Sequence, residues 1–538
     1  LKTSLLKGRA NYLCLHRMGL ARTEGRLPSR EAVSELEAVR EWSTRTADGD
    51  LSVADVVSED SGLRSLVTST MDNCLGSECP DFESCFVARA RRAAQDADVV
   101  VVNHHLLFAD MAIKRSGFGE VLPGAGAFIV DEAHQAPETA SRFFSTTLSG
   151  RQVQDLCRDF LAESAGVSGS MGLLREPVAS CLQKLKELQL AVSGLRQERG
   201  SWMDIVSDDA SCAALQALDS AVVELSEAAQ GLEGRARGMD GCLDRLAALR
   251  AAFDRFDAPE GDGEVRWYER RGRGFALHIT PLDVASVFDE FRQRAVASWL
   301  FTSATLSVRG DFSHFTHRMG LADASTMSLG SPFDYSNNAR VWLPPSLPEP
   351  RDPEFVEALL DEVVPLLEAS RGRAFLLFTS HRALKKAAGL LAERIELPLF
   401  VQGEQPRSVL LEQFRRSGDG VLLGSASFWE GVDVIGDALS LVVIDKLPFA
   451  APDDPVIEAR SAMLRREGQN PFTQLFLPQA VIALKQGAGR LIRDVHDRGV
   501  LVICDPRIRT RSYGSIFLES LPPMQQAQNR EEAEEFLQ

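Results

Sequence analysis

Four short apolar runs in the last third of the chain limit its fold most strongly: AFLLFTS (374–380), GVLLGSA (420–426), LSLVVIDKL (439–447) and GVLVICD (499–505). Each has the length of a strand and carries apolar residues at successive positions, so it has to be covered on both faces. Stretches with helical spacing separate them. Strands of this kind alternating with helices predict an α/β fold built on a parallel sheet. The proline-rich segment from Asn337 to Pro353 is expected to be a linker leading into this region. The polar tail QQAQNREEAEEFLQ is expected to fray.

Upstream, DVVVVN (98–103) and the start of SWLFTSATL (298–306) predict two further buried strands, and Phe128-Ile129-Val130 is a short apolar run that places Asp131 at a strand's carboxyl end. Residues 150–257 read as mostly helical, and VRWYERRGRGFALHI (265–279) reads as a hairpin with a glycine-rich basic turn. Its Trp267, Tyr268 and arginines could stack single-stranded nucleic acid, but a hairpin packing on neighbouring helices explains them as well. The 538 residues are enough for about three or four domains. With 44% hydrophobic and 25% charged residues the composition is that of an ordinary globular protein. No apolar run reaches membrane-span length, so no membrane partner is expected. The formal charge of −17 excludes a simple basic coat for nucleic acid. It leaves room for a motor that grips DNA in a local basic groove.

Chemistry enters at Asp131-Glu132-Ala133-His134, directly after a predicted strand. The first carboxylate of such a pair can hold Mg²⁺ through water, and the second can orient or deprotonate the attacking water of a nucleotide hydrolase. An acid-rich helix start would give the same letters. Ser303-Ala304-Thr305 follows another strand, and Gln486-Gly487-Ala488-Gly489-Arg490-Leu491-Ile492-Arg493 places two arginines three apart, expected on one helical face. A guanidinium can stabilise charge on a transferring phosphoryl group, although a solvated helix face would also carry arginines.

Taken in order, DEAH, SAT, LLFTS, SFWEGVD (427–433) and QGAGRLIR resemble the motif series of superfamily 2 DNA helicases. Together with VVIDKLPFAAPDDP (442–455), they resemble the DinG/XPD family, and most of all its bacterial YoaA branch, over nearly the whole chain. The resemblance implies two RecA-like motor domains with nucleotide bound in the cleft between them. It implies Asp131 for Mg²⁺, Glu132 for water, and Gln486, Arg490 and Arg493 for the γ-phosphate of ATP. Gly431, Asp433 and Gly489 are implied at the nucleotide, Ser303, Ala304 and Thr305 in coupling, and Thr379 and Ser380 at DNA.

Cys14 precedes Cys74-x4-Cys79-x5-Cys85. Three close thiols and one remote thiol can ligate an iron–sulfur cluster, and the spacing also permits a zinc site or three ordinary loop cysteines. The family resemblance points to [4Fe-4S], since the cluster domain of these helicases lies ahead of the DEAH motif. Cys157, Cys181, Cys212, Cys242 and Cys504 stand apart and read as core residues. Nine scattered cysteines do not suggest a secreted disulfide scaffold, so a cytoplasmic protein is expected.

The resulting domain scheme is 1–13, a remnant of motor domain 1; 14–95, the iron–sulfur domain; 96–149, motor domain 1 with DEAH; 150–285, a helical arch; 286–336, motor domain 1 with SAT; and 337–538, motor domain 2. No G-x-x-x-x-G-K-[ST] loop occurs in the sequence, and no Gly-Lys dipeptide. The resemblance implies that this loop lies upstream of a position like Leu1, so truncation of the chain is expected, with natural loss of the ATPase as the rival account. The resemblance implies ATP-dependent 5′-to-3′ unwinding and translocation on single-stranded and forked DNA, in repair or replication, alongside proteins of those processes. This fragment alone is expected to hydrolyse ATP poorly. The alternative is a non-hydrolysing DNA-binding or scaffold protein that keeps the helicase fold.

Overall fold

The computed structural model describes residues 1–538 other than 25, 26, 28, 55, 59, 60, 71, 72, 117–120, 260, 273, 426, 427 and 429–438. The chain divides into two compact units. One comprises residues 1–130, 135–301 and 453–460, and the other residues 131–134, 302–452 and 461–538.

The strands of the first unit are β1 (Thr3–Leu5), β2 (Val99–Val101), β3 (Ala127–Val130), β4 (Thr146–Ser149), β5 (Arg199–Ser201), β6 (Glu264–Arg271), β7 (Gly274–Pro281) and β8 (Ser298–Phe301). β1 pairs in parallel with β2, and β3 in parallel with β8. The three expected strands are present, but not covered on both faces: Val99, Val101, Ile129 and Leu300 are all exposed, Ile129 to 71%, while Val130 is buried. Continuous apolar runs predict cover on both faces, and among the described residues these ladders are two strands wide. Asn103 caps the helix His104–Ser116 by accepting the Leu106 N–H at 2.8 Å.

Residues 150–257 are helical as expected. The helices Gly150–Ser164, Ser170–Ser193, Asp209–Ala228 and Arg237–Asp257 share one apolar core with the antiparallel sheet β4-β7-β6-β5. Ser149 starts the first of them with a reciprocal cap: its hydroxyl accepts the Gln152 N–H, and its own N–H donates to Gln152 Oε1 at 2.8 Å. The β6–β7 hairpin packs its aromatics inward, with Trp267 and Tyr268 both buried. Cys157, Cys181 and Cys242 are buried here, while Cys212 is half-buried.

The cysteine segment has its own small core of Tyr12, Leu13, Leu36, Val39, Leu63 and Phe86. Gly49 is required in it, because its φ is +68° and a Cβ there would stand 2.2 Å from the Phe86 ring. A charge triad, with Arg17 and Asp159 buried and Arg245 half-buried, ties this segment to the helical array. Arg17 Nη1 donates to Asp159 Oδ1 at 3.0 Å, and Arg245 Nη1 to Asp159 Oδ2 at 2.6 Å.

The second unit is built on seven parallel strands: β9 (Ala339–Trp342), β10 (Ala374–Leu377), β11 (Leu399–Val401), β12 (Val421–Gly424), β13 (Leu441–Ile444), β14 (Gly499–Ile503) and β15 (Gln525–Gln526), in the order β11-β12-β10-β13-β14-β9-β15. Successive residues feed opposite faces. Phe375, Leu377, Val442 and Ile444 pack against Leu410, Phe414, Val481 and Leu484, while Leu376, Val443, Val500 and Val502 pack against Leu359, Val363, Leu384 and Leu391. Both faces are covered by helices, which is why the runs are unbroken.

Two expectations fail in this unit. The proline-rich segment is more than a linker: its residues 339–342 form β9, with Ala339, Val341 and Trp342 buried between β14 and β15. Nor does the tail fray. Asn529 caps the helix Arg530–Leu537, whose Ala533 and Leu537 are buried, and Phe536 lies under the guanidinium groups of Arg340 and Arg498. A few apolar positions suffice to dock a segment whose composition is polar. No helix among the described residues is long and apolar enough to cross a membrane.

Candidate active site

Asp131 and Glu132 form a turn immediately after β3. Glu132 has φ +47°, a left-handed conformation rare for a residue with a side chain and costing about 1–3 kcal/mol. Hydrogen bonds hold the turn in place. The Glu132 N–H donates to Asp131 Oδ1 at 2.9 Å, the Thr302 hydroxyl donates to the same oxygen at 2.8 Å, and the Ala133 N–H donates to the Thr302 carbonyl at 2.9 Å. The Ser303 hydroxyl donates to Glu132 Oε2 at 2.9 Å, and His134 Nδ1 lies 3.3 Å from that oxygen. His134 Nε2 meets the side-chain amide of Gln486, so the network assigns the imidazole proton to Nδ1, facing Glu132. The His134 hydrogen bond is the main cause holding the Glu132 carboxyl down at about 2; burial opposes it, while Ser303 and the Arg490 charge assist. Glu132 is therefore an ionised, oriented carboxylate beside an exposed Asp131.

The structure thus gathers Asp131, Glu132, Ser303, Gln486 and Arg490 in one unit, together with His134 and Thr302, to which the sequence reading gave no role. The signal for both was their position inside the DEAH and SAT motifs. Ala304 is exposed, and Thr305 is buried, bonded through its N–H to the Ser303 hydroxyl at 3.1 Å.

The two arginines do not share a helical face. The helix Leu477–Ala488 ends before them, with Gly489 as its C-cap, Arg490 in a turn and Arg493 in the following loop. The Arg490 and Leu491 N–H groups reach back only three residues, to Gly487 and Ala488, which tightens and closes the helix. The Asp497 carboxylate then fixes the loop by accepting the Arg493 N–H at 2.6 Å and the Asp494 N–H at 2.8 Å. Arg490 is half-buried with its charge felt at Glu132, whereas Arg493 is exposed and its charge is felt at Tyr335. Gly489 has ordinary helical φ and ψ, so no left-handed turn calls for a glycine there.

Gly431 and Asp433 lie outside the described residues. Thr379 and Ser380 are engaged within the protein. Ser380 caps the helix His381–Arg394 by accepting the Ala383 N–H. Thr379 donates to the buried Asp445 through its N–H at 3.0 Å and its hydroxyl at 3.3 Å. Burial pushes the Asp445 carboxyl up to about 7, against the Lys446 charge and these hydrogen bonds.

All four clustered cysteines are free thiols, and Cys14 feels the charges of Cys74, Cys79 and Cys85. Cys14 directly precedes the helix Leu15–Glu24, and Cys85 is the N-cap of the helix Phe86–Gln95. Burial pushes the Cys14 thiol up to about 11 and raises Cys79, so their thiolates call for a cation. A zinc ion with four thiolates needs sulfurs only ~3.8 Å apart. Among the described residues no trio of these sulfurs is gathered within 4.8 Å.

The helicase C-terminal domain family model matches residues 363–524. The ATP-dependent DNA helicase YoaA of Escherichia coli is 44% identical, covering 99% of this chain and 84% of that protein. The ATP-dependent helicase DinG of Mycobacterium tuberculosis is 33% identical, covering 98% of this chain and 81% of its own length. A solved XPD helicase matches with a TM-score of 0.54 at 15% identity, over 98% of this chain and 86% of that one. At that identity the likeness is one of fold, and it agrees with the RecA-like parallel sheets expected from the sequence. The chain belongs to the DinG/XPD family of helicases.

Proposed function

We propose that this chain is most of the motor of an ATP-dependent DNA helicase that moves 5′-to-3′ along single-stranded DNA and opens forks in repair or replication. The observation that carries the reading is the Glu132 carboxylate, held ionised by His134 and Ser303, within reach of the Arg490 charge and next to Asp131. Glu132 orients and deprotonates the attacking water, Asp131 offers an exposed carboxylate to Mg²⁺ through water, and Arg490 supplies positive charge toward the transferred phosphoryl group. Bound Mg²⁺ would neutralise charge on the ATP phosphates. Gln486 links His134 to this chemistry. Cys14, Cys74, Cys79 and Cys85 hold a [4Fe-4S] cluster, whose supply of bonds orders their segment. Thr379 and Ser380 sit at the DNA side, and the names of the relatives support DNA as the track.

The test compares Glu132→Gln with the parent in the whole gene product and in residues 1–538, which contain no G-x-x-x-x-G-K-[ST] loop. The variant should keep nucleotide affinity, lose DNA-stimulated hydrolysis, and lose unwinding of forks with a 5′ tail. Residues 1–538 alone should hydrolyse weakly while still binding single-stranded DNA in a salt-sensitive way. Unwinding by Glu132→Gln at the parental rate would refute this role for Glu132.

A further inference from the structure

Beside the cysteine quartet is a tighter group. His16, Cys79 and Asp81 each offer a ligand atom, and these atoms all lie within 4.8 Å of one another. Among the described residues this is the one trio of histidine, cysteine and carboxylate side chains so gathered. His16 Nδ1 stands 3.9 Å from Asp81 Oδ2. Tetrahedral bonds of ~2.0–2.3 Å to nitrogen, sulfur and oxygen place neighbouring donors ~3.3–3.8 Å apart, so small side-chain shifts would close the group on an ion.

Three further features fit a metal site. Asp81 follows Cys79 by two residues and its N–H points at the Cys79 sulfur, a hydrogen bond that favours the thiolate. Glu163, from the helical array, lies within electrostatic reach of His16, where a carboxylate can orient a ligating imidazole. The His16 and Asp81 side chains are 22% and 42% exposed, which leaves an entry path and a fourth position for water.

We propose that His16, Cys79 and Asp81 form a mononuclear site for a divalent first-row cation, zinc above all, that fills when the iron–sulfur cluster is absent. One imidazole, one thiolate and one carboxylate with an open position is a zinc-type donor set, and hard Mg²⁺ or Ca²⁺ would gain little from the sulfur. Binding releases the Cys79 thiol proton to solvent. On the cluster reading above, Cys79 belongs to both sets, so the two occupants exclude each other. Zinc taken up by cluster-free protein blocks rebuilding of the cluster.

Cluster-free protein is titrated anaerobically with Co²⁺ as an optical probe of tetrahedral sites. One ion per chain with charge-transfer absorption from a single thiolate is expected. His16→Ala, Asp81→Asn and Cys79→Ser should each weaken binding by at least about tenfold, since losing a ligand costs no less than the ~10–100-fold lost with an outer-shell partner. Cys14→Ser and Cys74→Ser should bind as the parent does. Asp81→Asn keeps side-chain shape, which guards against a misfolded variant. In the second arm, protein with and without preloaded Zn²⁺ is supplied with iron and sulfide, and cluster is counted as iron, sulfide and visible absorption. Zinc should block uptake in the parent and not in His16→Ala or Asp81→Asn. Cobalt absorption from several thiolates that survives His16→Ala and Asp81→Asn but is lost in Cys14→Ser would overturn the site, as would no cobalt binding at all. If zinc-free parent takes up no iron or sulfide, the cluster reading and the competition fall, while the cobalt arm still decides the mononuclear site.

Discussion

His134 Nδ1 lies 3.3 Å from Glu132 Oε2, and this bond is the largest influence holding the Glu132 carboxyl down at about 2. In His134→Ala the carboxyl should climb toward its ordinary value of 4.5. The acid limb of turnover against pH, measured in the hydrolysing gene product, should rise with it. A depressed carboxylate contributes stability above its unfolded value and loses it as pH falls from about 4.5 to 2. Glu132 is exposed, so solvent screens much of this contribution. His134→Ala should therefore flatten acid unfolding only slightly in that window. An acid limb unmoved by the substitution would exclude His134 as the group that tunes Glu132.

Arg490 and Arg493 should separate in kinetics. Arg490 acts on Glu132, while Arg493 sits on the loop fixed by Asp497. Arg490→Ala should slow hydrolysis by ~10³-fold, as loss of an arginine finger does. Arg493→Ala should cost less. The check is single-turnover hydrolysis at saturating ATP and DNA. Equal losses would mean that the loop brings Arg493 to the phosphate as well.

Asp445 offers a pH signature of the opposite sign. Its folded value, pushed up by burial to about 7, exceeds the ordinary 3.8. Between those values the folded state holds a proton that the unfolded state has lost, so stability falls as pH rises through the window. Lys446 and Cys504 are the ionisable neighbours. Thermal unfolding of the parent at pH 5 and pH 8 should differ more than that of Asp445→Asn. At pH 5, where Asp445 carries its proton, the isosteric amide should cost no more than ~0.5–1.5 kcal/mol, the worth of one hydrogen bond to Thr379. The same pH dependence in both proteins would rule Asp445 out as its source.

Substitution of Cys74 or Cys85 by serine should lower the iron and acid-labile sulfide of anaerobically purified protein and bleach its colour. Trypsin should then cut within residues 14–95 sooner than in the parent. Parent protein that carries neither iron nor sulfide, and takes up neither when reconstituted free of zinc, would rule out the cluster.

The second unit was legible because two-sided burial leaves its mark on consecutive residues: Phe375 and Leu376 face opposite ways and both are apolar. β9 was hidden because its residues adjoin prolines, and partners in β14 and β15 supply its burial. The Asp131, Glu132, Ser303 and Gln486 grouping was legible as an ordered motif series. Its geometry was not: the left-handed Glu132 depends on Thr302, 170 positions along from it in sequence. The helix end before Arg490 depends on the turn at Gly489 and on Asp497, which spacing alone does not weigh. His16 and Asp81 carried no sequence signal because loop folding brings them together.

Asp159 is shared by Arg17 and Arg245, and Arg17 lies 142 residues away in sequence, three positions after Cys14. Freeing Arg17 would leave a buried carboxylate half-neutralised, a loss of about 3–5 kcal/mol when such pairs are broken. Oxidative damage at the cysteines thus has a route into the helical array: melting of the helix Leu15–Glu24 would loosen helices that contain none of the four clustered cysteines. The array would register the condition of the cysteine segment as a change in its own rigidity.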